Sequence, residues 1–223
     1  MDHILEFLQY LFQLDWISEH PLGLIFVILI VFAETGLFVG FFLPGDSLMF
    51  VTGMAFAGNK ETLIGFVPMM LLVILAGILG NIVGYWFGKK SGPLLFKRDT
   101  SLLFRRSQLL SAKAFYDKRG AVTIFIARFL PIIRTFAPIV AGAVQMPYAS
   151  FLMYNVLGCA AWVGFFMTAG YFLGQQYPAL RESIEYVILF LVAVTTIPII
   201  WKMIAGKKEQ DLQEEQDGQD LQN

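Results

Sequence analysis

Four ionisable side chains stand inside otherwise apolar stretches of this sequence: Glu34, Asp46, Arg128 and Arg134. A charged side chain at the centre of a bilayer costs about 2.5–3.5 kcal/mol on insertion scales, so four of them cancel much of what the flanking leucines contribute. Such a cost implies a purpose. Arginine carries a planar fork of donors that matches a phosphate group, which makes Arg128 and Arg134 the candidate phosphate-binding residues. Glu34 and Asp46, withdrawn from water, are the candidate carboxylates for proton coupling or gating.

Two plainer readings stand beside these. Both acids lie in one half of the chain and both arginines in the other, so the four could pair and pin the halves together, although buried ion pairs are weak stabilising devices. Asp46 directly follows Pro44-Gly45 and could equally cap the backbone after a tight turn. Thr35, Ser47 and Thr135 would add hydroxyls to a polar lining, but hydroxyls in membrane helices often bond their own backbone.

Other chemistries lack their parts. His3 and His20 lie outside the apolar body, the single Cys159 cannot form an internal disulfide, and no CxxC or Cys/His metal spacing occurs. A nucleophile, base or metal set cannot be assembled from these residues, so the expectation is no enzyme, no metal and no cofactor. Nucleic-acid binding is unexpected as well, because the one basic stretch is apolar between its charges.

The elements that must position the four charges follow from composition. The chain of 223 residues is 57% hydrophobic and 15% charged, against about 25% charged for a soluble domain, so lipid must replace the usual polar surface. Uncharged runs at 62–88 and 186–201 predict spanning helices at about 65–88 and 186–204, and a third is expected at 149–174. The first of these carries Gly77, Gly80, Gly84 and Gly88, a small-residue ridge suited to close helix packing. Residues 1–20 have helical apolar spacing and predict a short interfacial helix ended by Pro21; no removable signal peptide is expected there.

Two further apolar blocks, 22–58 and 121–147, are too broken for simple spans. The first contains Gly36 and Pro44-Gly45, the second Pro131, Pro138 and Gly142. Breaks of this kind free backbone groups that hydrocarbon does not satisfy, so each block predicts a re-entrant helical hairpin. Nine of the sixteen basic residues fall between Lys89 and Arg119. That places 89–119, a basic amphipathic segment, and the C-terminus beyond Lys207 and Lys208 on the cytoplasmic side. The hairpins then enter from opposite faces, the pattern of an inverted repeat with its site near the midplane. The tail 206–223 is polar and predicts disorder.

Phe32-Ala33-Glu34-Thr35-Gly36, Phe42-Leu43-Pro44-Gly45-Asp46-Ser47-Leu48, and the run from Ala127 to Pro138 with Ala141-Gly142 resemble the signature of the DedA family of the SNARE-associated (VTT) superfamily. The likeness extends over about 22–175, includes Gly88-Lys89, the Phe104-Arg105-Arg106 stretch and the run from Tyr154 to Gly158, and is close to the founding bacterial subgroup. Asn81 departs from the Asp expected after Gly80 in some close relatives. The resemblance implies an all-α integral membrane fold with two opposed re-entrant hairpins, shared with eukaryotic lipid scramblases. It also implies a bacterial inner-membrane flippase or scramblase that returns undecaprenyl phosphate, or moves other phospholipids, between leaflets. The family's important acids and arginines fall on Glu34, Asp46, Arg128 and Arg134. The expected partners are therefore an anionic lipid, the membrane and protons, with a homo-oligomer left open. A proton-coupled ion or solute transporter and a non-transporting assembly factor remain as alternatives.

Overall fold

A computed structural model of the chain describes residues 14–36, 45–58, 64–97, 116 and 120–182. Among the described residues all regular structure is helical: α1 (Leu14–Glu19), α2 (Pro21–Gly36), α3 (Gly45–Gly58), α4 (Phe66–Lys97), α5 (Val122–Ala127), α6 (Pro131–Ala143), α7 (Tyr148–Gln176) and α8 (Pro178–Glu182). Residues 1–13, the turn at Pro44, most of the basic segment, the run at 186–204 and the tail lie outside the described residues.

Among the described residues two helices are long and apolar enough to cross a membrane, Phe66–Gly92 and Tyr148–Gln176. At 1.5 Å per residue, the 27 residues of the first reach about 40 Å, more than the roughly 30 Å hydrocarbon layer. Only 33% of each apolar window is buried, whereas the core helix of a soluble protein is mostly covered. The exposed faces carry Leu71, Leu75, Leu79, Val83 and Trp86 on α4, and Met153, Leu157, Phe165 and Phe172 on α7. These stripes are surfaces for lipid.

The change from apolar to basic at Lys89 marks a boundary of solvent and not of backbone: α4 runs without a break to Lys97, past the expected end of its span at 88. Lys89 keeps its ammonium 4.9 Å above the exposed Trp86 ring, a cation–π contact one turn along the helix. At the other end of the chain, Pro21 opens α2 as much as it closes α1, since its fixed φ and missing N–H suit the first helical position. Ile17 and Ser18 of α1 are buried in the bundle. Gly23 makes this possible, because a Cβ there would overlap the Trp16 carbonyl.

The packing is crossed. Helix α3 lies along α7, and α6 lies along α4. Each interface uses a glycine on both sides. A Cβ on Gly53 would overlap the Met167 carbonyl and one on Gly170 the Phe50 carbonyl; a Cβ on Gly88 would overlap the Ile139 carbonyl and one on Gly142 the Tyr85 carbonyl. Main chain thus meets main chain, the close approach by which small residues drive helix association in lipid. Two buried clusters follow, one around Val31, Met49, Val73, Trp162 and Met167, the other around Tyr85, Ile124, Met146 and Phe151.

The break between α5 and α6 is written in Arg128-Phe129-Leu130-Pro131. The proline ring disfavours α geometry in the residue before it, and Leu130 is extended at φ −108°, ψ 108°. Pro131 then restarts the helix at its first position. Helix α6 closes on Gln145, which takes a left-handed φ of 57° while Met146 N–H donates to the Ala141 carbonyl at 2.9 Å, a Schellman ending.

Candidate functional site

Five helices deliver polar groups to one buried place. Glu34 comes from the last turn of α2, Asp46 from the first turn of α3, Arg128 from the end of α5, Arg134 from the first turn of α6, and Trp162 from the middle of α7. Glu34 is 1% exposed, Arg128 5% and Asp46 7%.

The four expected charges are brought together, but not as two pairs. Arg134 takes both acids: Nη2 donates to Glu34 Oε1, and Nη1 donates to Asp46 Oδ1 at 2.6 Å. Asp46 is therefore more than a backbone cap. Arg128 makes no ion pair among the described residues, and its Nε and Nη2 are buried without a hydrogen-bond partner. Glu34 Oε2 is likewise buried and unpartnered, and it occupies the space a Cβ on Gly45 would fill at the start of α3. A helix N-terminus favours an anion there, so Gly45 serves by having no side chain.

The remaining expected residues have these places. Gly36 meets Gly80, where a Cβ on either would crowd the other helix. Pro131 starts α6 and Pro138 lies inside it; lacking an N–H, Pro138 leaves the Arg134 carbonyl without its helical donor. Gly142 seats α6 on Tyr85. Pro44 is outside the described residues. Thr35 bonds back to the Val31 carbonyl at 2.8 Å, the plainer of the two roles for a membrane hydroxyl. Among the described residues no group of three His, Cys, Asp or Glu is placed to hold a metal ion.

Three further residues complete the site. Trp162 is 1% exposed and sits beneath both guanidinium groups, with Arg128 Cζ and Arg134 Cζ each 4.9 Å from its ring. Its Nε1–H donates to Asp46 Oδ1 at 2.9 Å. Asn81 of α4 faces Arg128 Nη1. Since a guanidinium only donates, the atom turned to it is the amide oxygen, and the Asn81 nitrogen then donates to the Thr35 carbonyl at 3.1 Å. Turned the other way, the amide would donate to Asn155 Oδ1 at 2.5 Å but set two donors against each other at Arg128; the charged donor decides. The Asn155 amide turns with that of Asn81, so that its nitrogen donates to the Asn81 oxygen at 2.5 Å. Gly77 and Gly158 flank the arginine closely, a Cβ on the first falling 3.0 Å from Nη2 and on the second 3.2 Å from Cδ.

The arrangement can do two things chemically. It holds one guanidinium neutralised by two carboxylates and offers a second whose Nε and Nη2 are buried without a partner, where a charge-assisted bond to an anion is strong.

Residues 43–172 match the family model described as the VTT domain. Protein DedA of Escherichia coli (strain K12) is 43% identical over 180 residues, covering 81% of each chain. Inner membrane protein YabI of the same organism is 32% identical over 188 residues, covering 80% of this chain and 68% of that one. Undecaprenyl phosphate transporter A of Bacillus subtilis (strain 168) is 32% identical over 119 residues, 53% of this chain and 60% of its own. No solved structure gives a significant match.

Proposed function

Because the chain belongs to the DedA family of VTT-domain membrane proteins, we propose that it is an inner-membrane lipid translocase that moves a phosphate-bearing lipid, undecaprenyl phosphate or a phospholipid, between leaflets. The observation that carries this reading is Arg128, a buried guanidinium with two N–H groups unpartnered and no carboxylate bound to it among the described residues. Buried guanidinium donors without a hydrogen-bond partner are costly until an anion meets them. A lipid phosphate brings that anion while its tail stays in hydrocarbon against the exposed apolar faces of α4 and α7. The name of the Bacillus relative supports undecaprenyl phosphate as the cargo.

In this reading 22–58 and 121–147 are re-entrant hairpins of opposite orientation, and the crossed packing of α3 on α7 and α6 on α4 supports an inverted repeat. The basic segment and the C-terminus face the cytoplasm. Arg134 is the latch that the two acids hold shut. A second reading, proton-coupled transport of an ion or solute, is favoured by one observation, the unpartnered Glu34 Oε2, which is free to take a proton.

Leaflet exchange of a labelled undecaprenyl phosphate analogue in proteoliposomes tests the proposal. Exchange by the native chain that is lost in Arg128→Ala and Arg134→Ala, with folding retained, is the expected result. Absence of exchange with native protein, together with a solute flux driven by a pH gradient and lost in Glu34→Gln, would transfer the function to the second reading.

A further inference from the structure

The two arginines are treated differently by their neighbours. Arg134 is met by carboxylates, whereas each group that touches the Arg128 guanidinium is neutral: the Asn81 amide on Nη1 and the face of Trp162 at 4.9 Å. The same Trp162 donates its indole N–H to Asp46 Oδ1 at 2.9 Å, the oxygen that also accepts from Arg134 at 2.6 Å. Asp46 is thereby held to Arg134 by two donors converging on one oxygen.

We infer that Asn81 and Trp162 are positioning residues that keep Arg128 available to an incoming anion, Asn81 by orienting the guanidinium without neutralising it and Trp162 by fastening Asp46 to the other arginine. The inference rests on the phosphate-handling reading above and adds the means by which one of two nearby cations stays open. An amide supplies one acceptor and no charge, so it fixes the Arg128 fork while Nε and Nη2 stay without a partner. A carboxylate at position 81 would instead form a charge-assisted pair with Arg128 and compete with the substrate phosphate. Without the indole N–H, Asp46 loses one of the two donors on its oxygen and is free to turn toward Arg128, with the same result.

The test uses the full chain in proteoliposomes, with exchange measured against the mole fraction of a fluorescent polyprenyl phosphate. Asn81→Asp is expected to raise the half-saturating mole fraction at least about tenfold, the scale of one charge-assisted hydrogen bond, with a smaller change in maximal rate. Trp162→Phe, which keeps the ring face and removes the donor, is expected to shift half-saturation in the same direction. Trp162→Leu, which removes both, should lower the maximal rate as well. A merely structural role would lower rate and stability together without this split. If Asn81→Asp fails to fold, Trp162→Phe decides. Native exchange with unchanged half-saturation in the folded variants would overturn the inference while leaving the phosphate reading intact; exchange at native rate in Arg128→Ala would overturn both.

Discussion

Replacing each arginine by methionine, which keeps much of the volume and removes the charge, should have opposite consequences for stability. Arg134→Met leaves Glu34 and Asp46 facing each other, both buried, with the guanidinium that neutralised them gone. Breaking a buried pair by removing one partner costs about 3–5 kcal/mol. Arg128→Met removes a charge whose burial costs about 2.5–3.5 kcal/mol. Against that stand the lost contact to Asn81, about 1.5–3 kcal/mol for a bond to a charged group, and the lost cation–π contact with Trp162, about 0.5–2 kcal/mol. The terms nearly cancel, so Arg128→Met should stay within about 2 kcal/mol of the native protein while abolishing exchange. The measurement is an SDS titration of each variant in mixed micelles, following unfolding by far-ultraviolet circular dichroism. Equal destabilisation by the two substitutions would refute the division into a compensated and an open arginine.

Other expectations follow from the packing. Gly142→Val places a side chain against the Tyr85 carbonyl, main chain that has nowhere to go, and should cost about 1–3 kcal/mol in the same titration. Tyr85→Phe removes the hydroxyl that donates to the Met146 carbonyl at 2.6 Å and should cost about 1–3 kcal/mol by leaving a buried acceptor unpaired. Gln145→Gly relieves a left-handed residue at the end of α6 and should raise the melting temperature, by the equivalent of about 0.5 kcal/mol after the added chain entropy of glycine. An unchanged or lower melting temperature would contradict that assignment.

The sequence made the four charges conspicuous because each interrupts an apolar run, and charge in such a setting is costly wherever the chain later goes. It could not say which arginine meets the acids. Arg128 and Arg134 are six positions apart, but the extended Leu130 and the restart at Pro131 place them on separate helices, and no helical period carries across that break. Trp162 was invisible for another reason. Hydropathy treats an indole among phenylalanines as one more apolar residue, and its role depends on three partners from α3, α5 and α6. The glycine ridge of α4 was legible as a packing surface, yet its partners were not: Gly77 faces Arg128, Gly80 faces α2, and Gly84 and Gly88 face α6. Helix α4 runs on to Lys97 beyond the span expected to end at 88, because charge reports where water begins, while a helix ends only when its backbone must turn.

The crossed packing also sets an order of events for the ribosome. Glu34 and Arg134 are separated by 100 residues, so at about 5–20 residues per second the acid emerges roughly 5–20 s before its cation exists. Throughout that interval neither arginine of the site exists to meet the carboxylates of α2 and α3, and there is no α7 to cover their packing face. Nascent chains arrested between 58 and 120 should therefore linger at the insertion machinery or be sheltered by it, and stable lateral release should coincide with synthesis of the second half.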